Sequence, residues 1–328
     1  MKNKKILIIG GTGFFGKSFL KLFLNKSLDK WGISKVLIMS RSPEILNKTF
    51  GKKLKKVVLY KMDMALANDL PLCDYIIHAA TSTDQSVYKK NFFKIKKNNV
   101  ENISNFLRII KKKKFRKTKI VYMSSGAVYD SNKNSKKIKE TDPILSIKKN
   151  FSDIHNNDLY RFIKIISENL IFDFNKKLKM KIAIARCFAF VGEFLPLNKH
   201  YFIGNLLYSI LNNKKLIIKN SNLKKVFRSY LYADELVEWI MKILTGTNNK
   251  TEVFNVGSDQ SISLFNLTQF FKSSYNLKNK RYMIKNYNKR TDLDFYVPCI
   301  NKLKRRFKLS IKINLKKSIR KTYQELNN

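Results

Sequence analysis

Cysteine and histidine are scarce in this sequence, and long apolar runs are missing. Three cysteines and three histidines are scattered over 328 residues without paired metal-ligand spacing, which argues against a disulfide framework or a structural metal and predicts a reducing, cytoplasmic location. The first apolar run, Ile6 to Ile9, stops at Gly10, and no run approaches the roughly 18 residues of a membrane span. Neither a signal peptide nor a membrane span is therefore expected. The residues concerned are Cys73, Cys187, Cys299, His78, His155 and His200.

Acidic residues are also few. The chain has 23 Asp and Glu against 67 Lys and Arg, which gives a formal net charge of +44. Such an excess suggests a nucleic acid or an anionic surface as partner. However, only 11 of the basic residues are Arg, and the lysines occur in small groups along the whole chain, whereas nucleic-acid readers favour Arg concentrated on one face. Compositional drift with solvated lysines is the favoured interpretation, and a working role for the charge stays open.

The order of apolar and amphipathic segments predicts an α/β fold. Short apolar runs alternate with stretches at helical spacing up to about residue 187, which is typical of a doubly wound parallel sheet. This alternation of segments then changes, and we expect residues 188–225 and 257–328 to form a smaller lobe, with a segment near 226–256 returning to the sheet. The expected strands are Ile6–Ile9, Val36–Met39, Val57–Tyr60, Tyr75–His78, Ile120–Met123 and Ile182–Ala185.

A glycine-rich motif joins the first strand to the first helix. Gly10 allows a tight turn, Gly13 lets the backbone approach a pyrophosphate, and Gly16 permits close packing of helix on strand. The alternative, a turn that merely connects two elements, needs three glycines to coincide by chance. The predicted dinucleotide-binding residues of this motif are Gly10, Thr12, Gly13, Phe14, Phe15 and Gly16.

The end of the second strand bears on which dinucleotide is bound. An acidic residue there accepts hydrogen bonds from the ribose of NAD, and a basic residue accommodates the 2′-phosphate of NADP. The chain has Arg41 between two serines and no carboxylate, which favours NADP over NAD, although an exposed Arg is ordinary in a basic protein. Asp63 and Met64 follow the third strand and are expected at the adenine edge; capping of the strand end is an equal alternative for Asp63.

Tyr160 and Lys164 form the sharpest candidate catalytic pair. Four residues apart on a helix, they share one face, and an ammonium beside a phenol favours the phenolate. The spacing alone is common by chance in a chain with 15 Tyr. The position of the pair favours a catalytic role, because the pair follows the fifth strand, which ends at Ser124 and Ser125.

Together these motifs resemble the extended short-chain dehydrogenases/reductases, in the branch of NAD(P)-dependent nucleotide-sugar epimerases and dehydratases. The resemblance runs from about Ile6 to Thr322 and implies a Rossmann domain over residues 1–187 and a substrate-binding lobe. The matching segments are Gly10 to Gly16, His78 to Ala80, Ser125 to Tyr129, Tyr160 to Lys164, Arg186 to Gly192 and Arg228 to Asp234.

The resemblance also implies residue roles. Tyr160 corresponds to the catalytic base, Lys164 to its partner and ribose ligand, and Ser125 to the residue that hydrogen-bonds the reacting sugar oxygen. Ala79, Ala80 and Asn99 correspond to positions around the cofactor and the active-site lysine. Arg228 corresponds to the arginine that grips the diphosphate of a nucleotide sugar, and Asn205 to a nucleotide contact. A homodimer built on the helices of 98–110 and 160–174, and a setting in polysaccharide biosynthesis, are further implications.

The leading prediction is a nucleotide-sugar 4-epimerase that acts through a transient keto-sugar. A 4,6-dehydratase is less favoured, because Gly126 and Ala127 stand where dehydratases carry an acid pair. An NADPH-dependent 4-keto-sugar reductase is the alternative that Arg41 favours. A Rossmann-fold protein without catalysis, binding RNA or a partner through its charge, is the remote alternative, since Ser125, Tyr160 and Lys164 are all present.

Overall fold

The structure is a computed structural model that describes residues 3–81, 92–130, 136–145, 158–197, 199, 201–214, 216–218, 222–275, 282–284 and 293–327. Its helices are α1 (Phe14–Leu24), α2 (Ile45–Phe50), α3 (Phe92–Ile110), α4 (Leu159–Leu178), α5 (Phe202–Leu211), α6 (Ala233–Gly246), α7 (Leu264–Tyr275), α8 (Asn301–Phe307) and α9 (Leu315–Asn327).

The strands are β1 (Lys4–Ile9), β2 (Ile33–Ser40), β3 (Val57–Lys61), β4 (Tyr75–His78), β5 (Lys119–Ser125), β6 (Lys181–Cys187), β7 (Phe190–Val191), β8 (Leu216–Ile218), β9 (Val226–Arg228), β10 (Leu231–Tyr232), β11 (Glu252–Val256), β12 (Ile262–Ser263), β13 (Tyr282–Ile284) and β14 (Asp294–Tyr296).

A seven-stranded sheet with the order β11-β6-β5-β4-β1-β2-β3 confirms the predicted α/β fold. The pairings among β1 to β6 are all parallel. Ile6, Leu7 and Ile8 of β1 are fully buried, because a parallel strand covered by helices on both faces needs apolar side chains on both sides. One face packs on α3 and α4 through Phe106, Ile109 and Ile171.

The topology fixes where polar side chains gather. The carboxyl ends of β1, β2, β4, β5 and β6 meet at one edge of the sheet, because these strands are parallel and in register. Strand order reverses beside β1: β2 and β3 lie on one side and β4 to β6 on the other. A doubly wound sheet binds its ligands at this switch point.

The chain divides into two compact units. The first comprises residues 1–128, 144–187 and 237–254, and the second comprises residues 129–143, 188–236 and 255–328. Within the second unit, the three-stranded sheet β12-β9-β14 and the pairs β10-β7 and β13-β8 consist of strands of two or three residues. The lobe boundaries inferred from the sequence stay a prediction. Among the described residues, no helix is both long and apolar enough to cross a membrane.

Candidate functional site

A cleft of about 280 Å³ lies at the carboxyl edge of the sheet in the first unit. It brings together nine of the residues predicted from sequence to bind a dinucleotide. These are Gly10, Thr12, Gly13, Arg41, Asp63, Met64, Ala79, Ala80 and Asn99. The cleft is also lined by residues that the sequence patterns did not single out: Ile9, Met39, Ser40, Met62, Thr81, Ile95, Asn98 and Asn102.

The glycine loop forms the floor of this cleft. Gly10 has a φ of +84°, and a Cβ there would lie 2.7 Å from the carbonyl oxygen of Ala79, so only glycine fits without strain. Gly13 precedes α1, whose amino end has no side-chain cap and no acidic residue in its first turn. Bare backbone in front of an uncapped helix N-terminus suits an anionic pyrophosphate, so the residues present fit a dinucleotide.

Gly16, Phe14 and Phe15 lie in the first turn of α1 and are not among the residues that line the cleft. A Cβ on Gly16 would lie 2.1 Å from the carbonyl oxygen of Gly11, so the helix packs directly on the loop backbone. The half-buried rings of Phe14 and Phe15 meet edge to face, with centroids 5.7 Å apart. These three residues shape the start of α1 behind the glycine loop.

The ends of β2 and β3 carry the side chains that bear on cofactor choice. Arg41 is exposed at the cleft, and the hydroxyls of Ser40 and Thr12 lie 3.0 Å apart beside it. Asp63 accepts a hydrogen bond from the Ala65 N–H at 3.0 Å and so caps the short helical turn Met64–Leu66, and it also lines the cleft. The two interpretations of Asp63 are thus compatible.

Asn99 lies on α3 and faces the same cleft. Its side-chain amide donates to the carbonyl of Ile95 at 2.8 Å, one turn earlier in the helix. Ala79 also lines the cleft, and its N–H donates to the carbonyl of Ile9 at 2.8 Å, which fixes the chain after β4. The amide of Asn99 is thereby tied to its own helix.

Tyr160 and Lys164 lie in the first turns of α4. The Lys164 ammonium is 5.9 Å from the centre of the Tyr160 ring and donates to the carbonyl of Met123 in β5 at 2.6 Å. It also lies 3.5 Å from the hydroxyl of Tyr122. Tyr160 is half-buried and packs against Leu159 and Ile163. The Lys164 ammonium thus lies over the ring of Tyr160.

The environment of Lys164 lowers the pKa of its side chain. Only 3% of the residue is exposed, and this burial lowers the pKa of its ammonium to about 8, although the Glu168 carboxylate acts in the opposite sense. A lysine with a pKa near neutrality is typical of a group that takes part in proton chemistry.

Ser124 and Ser125 end β5 and have different surroundings. Ser125 is buried, and its hydroxyl oxygen accepts from the Ala127 N–H at 3.1 Å, within the short helical turn Gly126–Val128. Ser124 donates instead to the carboxylate of Glu168. No carboxylate follows Ser125 directly, because Gly126 and Ala127 occupy those positions.

Glu168 and Arg186 form a buried ion pair behind this site, which the sequence patterns did not reveal. The Arg186 guanidinium donates from Nη2 to Glu168 Oε2 at 2.7 Å and from Nε to both carboxylate oxygens at 3.1 Å. The one available signal was the spacing of Glu168, four residues after Lys164 and eight after Tyr160 on one helical face.

The predicted substrate residues Arg228 and Asn205 belong to the second unit. Arg228 donates to the two carboxylate oxygens of Asp294 at 3.0 and 2.7 Å, and its guanidinium is 5.7 Å from the centre of the Tyr296 ring. Asn205 lies on α5, and its buried side-chain oxygen has no hydrogen-bond partner within the described part of the chain. The guanidinium of Arg228 is thus already paired with an anion.

Potential metal ligands are dispersed. The residues that the structure describes contain no group of three or more His, Cys, Asp or Glu side chains suited to a metal ion. His78 is buried between Phe106 and Tyr122, while His155 and His200 lie outside the described residues.

The sequence of the chain is similar to those of known proteins. A family model described as "NAD dependent epimerase/dehydratase family" matches residues 6–257. UDP-glucuronic acid decarboxylase 3 of Arabidopsis thaliana is 24% identical over 289 residues, which are 87% of this chain and 78% of that protein. UDP-glucuronic acid decarboxylase 5 of the same plant is also 24% identical, over 294 residues that are 87% of this chain and 78% of that protein.

Solved structures share the fold over nearly the whole chain. One is UDP-N-acetylglucosamine 4-epimerase from Methanobrevibacter ruminantium M1, with a TM-score of 0.80, 18% identity, and coverage of 99% of this chain and 98% of that one. Another is a dTDP-glucose 4,6-dehydratase from Streptomyces venezuelae with NAD bound, with a TM-score of 0.80, 18% identity, and coverage of 98% and 96%. At such identities the likeness extends to the fold alone.

Proposed function

Because the chain belongs to the NAD dependent epimerase/dehydratase family, we propose that it is a nucleotide-sugar 4-epimerase that oxidises the sugar C4 hydroxyl and reduces the resulting ketone on its other face. The observation that carries this proposal is the set of groups around Tyr160. The Lys164 ammonium lies 5.9 Å from the ring centre of Tyr160, and the two residues after Ser125 are Gly126 and Ala127.

The chain's own residues supply proton transfer and orientation. Tyr160 removes the C4 hydroxyl proton, and the nearby Lys164 ammonium stabilises the phenolate that this requires. Ser125 holds the reacting oxygen by a hydrogen bond. The glycine loop, Asp63 and Ala79 would hold the dinucleotide, which would supply the hydride chemistry at C4. Arg228 is proposed to bind the diphosphate of the substrate.

Elimination of water needs an acid and a base, and the described residues that follow Ser125 do not supply them. A 4,6-dehydratase must protonate the leaving hydroxyl and remove a carbon-bound proton. Gly126 and Ala127 have no acidic or basic side chain, and the buried Glu168 carboxylate is bonded to Arg186 and Ser124. The acid-base inventory around Ser125 therefore favours epimerisation over dehydration.

Decarboxylation of a nucleotide uronic acid is a second candidate, which the sequence relatives favour. Three curated relatives, each 24% identical, act on UDP-glucuronic acid by name. Oxidation at C4 of a uronic acid gives a β-keto acid, which loses carbon dioxide without a further carboxylate base. Gly126 and Ala127 therefore do not argue against this reaction.

Product analysis separates these reactions. Purified protein is incubated with UDP-, dTDP-, CDP- and GDP-sugars and with UDP-glucuronic acid, each with NAD⁺, NADP⁺ or NADPH, and the products are analysed by mass spectrometry. We expect an isomer of unchanged mass. Loss of carbon dioxide would establish the decarboxylase, loss of water the dehydratase, and gain of two hydrogens the reductase. A lack of turnover on the whole panel, with selective RNA binding, would overturn the enzyme proposal.

The choice between NADP and NAD rests on Arg41. We expect Arg41→Ser to weaken NADP⁺ binding about 10-fold, because a charge-assisted hydrogen bond to the 2′-phosphate is lost, and to change NAD⁺ binding about 2-fold at most. Calorimetry with both dinucleotides measures the two affinities. Arg305→Ser is the matched control, since it removes another exposed guanidinium, which belongs to the second unit. Equal weakening for both dinucleotides, or the same loss in the control, would contradict a specific role.

A further inference from the structure

Three charged side chains are buried together behind the carboxyl ends of β5 and β6. Lys164, Glu168 and Arg186 are exposed by only 3%, 1% and 3%. Charges at this depth are costly to desolvate, so a fold keeps them only where each one finds partners. Their arrangement therefore reflects a specific set of contacts.

Arg186 takes both oxygens of the Glu168 carboxylate. Its fork donates to Oε2 at 2.7 Å and to Oε1 at 3.1 Å, and the Ser124 hydroxyl also donates to Oε1. Glu168 lies one helical turn from Lys164, a spacing at which lysine and glutamate ordinarily pair. Arg186 engages that carboxylate from the neighbouring strand.

The Lys164 ammonium consequently has other partners. It donates to the Met123 carbonyl and lies near the Tyr122 hydroxyl, and both partners are neutral. Two positive charges and one negative charge leave a buried excess of one positive charge. Since Arg186 and Glu168 neutralise each other, this excess is located on Lys164, 5.9 Å from the ring centre of Tyr160.

We infer that Arg186 and Glu168 are positioning residues for the Tyr160–Lys164 pair: Arg186 keeps Glu168 from neutralising Lys164, and Glu168 keeps the second buried cation from repelling it. This inference rests on the proposed function, in which Tyr160 is the base. A strand-end arginine and a helix glutamate thereby set the pH range over which Tyr160 is a phenolate and Lys164 an ammonium.

The other titratable groups around Lys164 are neutral near neutral pH. Burial raises the pKa of the Cys187 thiol to about 12, lowers that of His78 to about 3 and raises that of the Tyr122 phenol. Among the described groups around Lys164, the charged ones are therefore Glu168 and, through its ion pair with Glu168, Arg186. The described groups that face Lys164 or act on it from the helix and strands around it are Tyr160, Glu168, Tyr122, Cys187 and His78, and Arg186 is the ion-pair partner of Glu168.

The two partners should shift the pH profile of kcat in opposite directions. Glu168→Gln removes a negative charge, which favours both the phenolate and the neutral amine, so both limbs should move to lower pH by about one unit. Arg186→Met removes a positive charge, so both limbs should move to higher pH by a similar amount. The double variant Glu168→Gln/Arg186→Met restores the charge balance and should return the profile to within a few tenths of a unit of wild type.

A purely structural ion pair predicts a different result. Both single variants would then lower kcat and Tm without moving the limbs, or would move them in the same direction, and either outcome overturns the inference. Asp173→Asn is the matched control, because it breaks an exposed pair with Lys176 on the same helix. If Arg186→Met does not fold, the nearly isosteric Glu168→Gln decides alone, and an unmoved or raised profile overturns the inference.

A readout without substrate separates this inference from the proposed function. The phenolate absorbance of each variant is titrated with and without the additional change Tyr160→Phe, so that the difference reports Tyr160 alone. Downward and upward shifts in the two variants would support the inference even if no sugar nucleotide is turned over. Turnover of a sugar nucleotide with an unmoved Tyr160 titration would leave the proposed function standing and overturn the inference.

Discussion

Replacing Tyr160 with phenylalanine is expected to lower kcat by about 1,000-fold with little change in KM or Tm. General acid-base catalysis by a positioned side chain contributes about 100- to 10,000-fold, and this change removes the proton-transfer group alone. The ring stays, and with it the packing against Leu159 and Ile163. The bond from Lys164 to the Met123 carbonyl is unaffected as well. Steady-state kinetics on the sugar nucleotide identified by product analysis, with a thermal melt, measures the effect.

Tyr208→Phe is the matched control for this variant. Tyr208 is also a helical tyrosine beside a lysine, with the Lys214 ammonium 3.2 Å from its hydroxyl, but it lies in α5 of the second unit. We expect its kcat to stay within about 2-fold of wild type, because Tyr208 is not among the residues predicted to contact the cofactor or the substrate. A comparable loss in both variants, or full activity in Tyr160→Phe, would show that Tyr160 is not the base.

The central sheet was predictable because its signals are local and strong. Buried parallel strands are continuous apolar runs, so Ile6–Ile9 and Ile182–Ala185 stood out in the sequence and lie within β1 and β6. The strands of the second unit were not predictable in the same way. Strands of two or three residues, such as β7 and β10, are too short for any periodicity to appear.

The ion pairs around the site depended on tertiary structure. Arg186 and Glu168 are 18 residues apart and meet only because β6 passes beside α4. Arg228 is predicted to bind a diphosphate, and in the structure its guanidinium is paired with Asp294, 66 residues later. That pair exists because β14 runs parallel to β9, with Tyr296 opposite Arg228. No spacing within one element could have indicated either pair, whereas the glycine loop and the Tyr160–Lys164 pair are local and were predicted.

Gly16→Ala is expected to lower the free energy of unfolding by about 3 kcal/mol, the upper part of the usual range for overpacking. The new Cβ would lie 2.1 Å from the carbonyl oxygen and 2.3 Å from the carbonyl carbon of Gly11. These are backbone atoms of the loop after β1 and cannot rotate aside as a side chain can. The better helix propensity of alanine offsets only about 1 kcal/mol of this. Thermal and urea unfolding of the protein without dinucleotide measure the loss.

Gly13→Ala separates the support of the fold from the binding of the dinucleotide. Gly13 has φ −83° and ψ −177°, which alanine adopts freely, and its Cβ would meet only the Gly10 carbonyl oxygen at 3.7 Å. We therefore expect the Tm to stay close to wild type, while dinucleotide affinity falls about 10-fold or more, because the methyl group stands where the pyrophosphate must approach the backbone. Unchanged affinity in this variant would mean that the loop supports the fold without holding a dinucleotide. A stable Gly16→Ala protein would mean that α1 does not pack on the loop as closely as the structure has it.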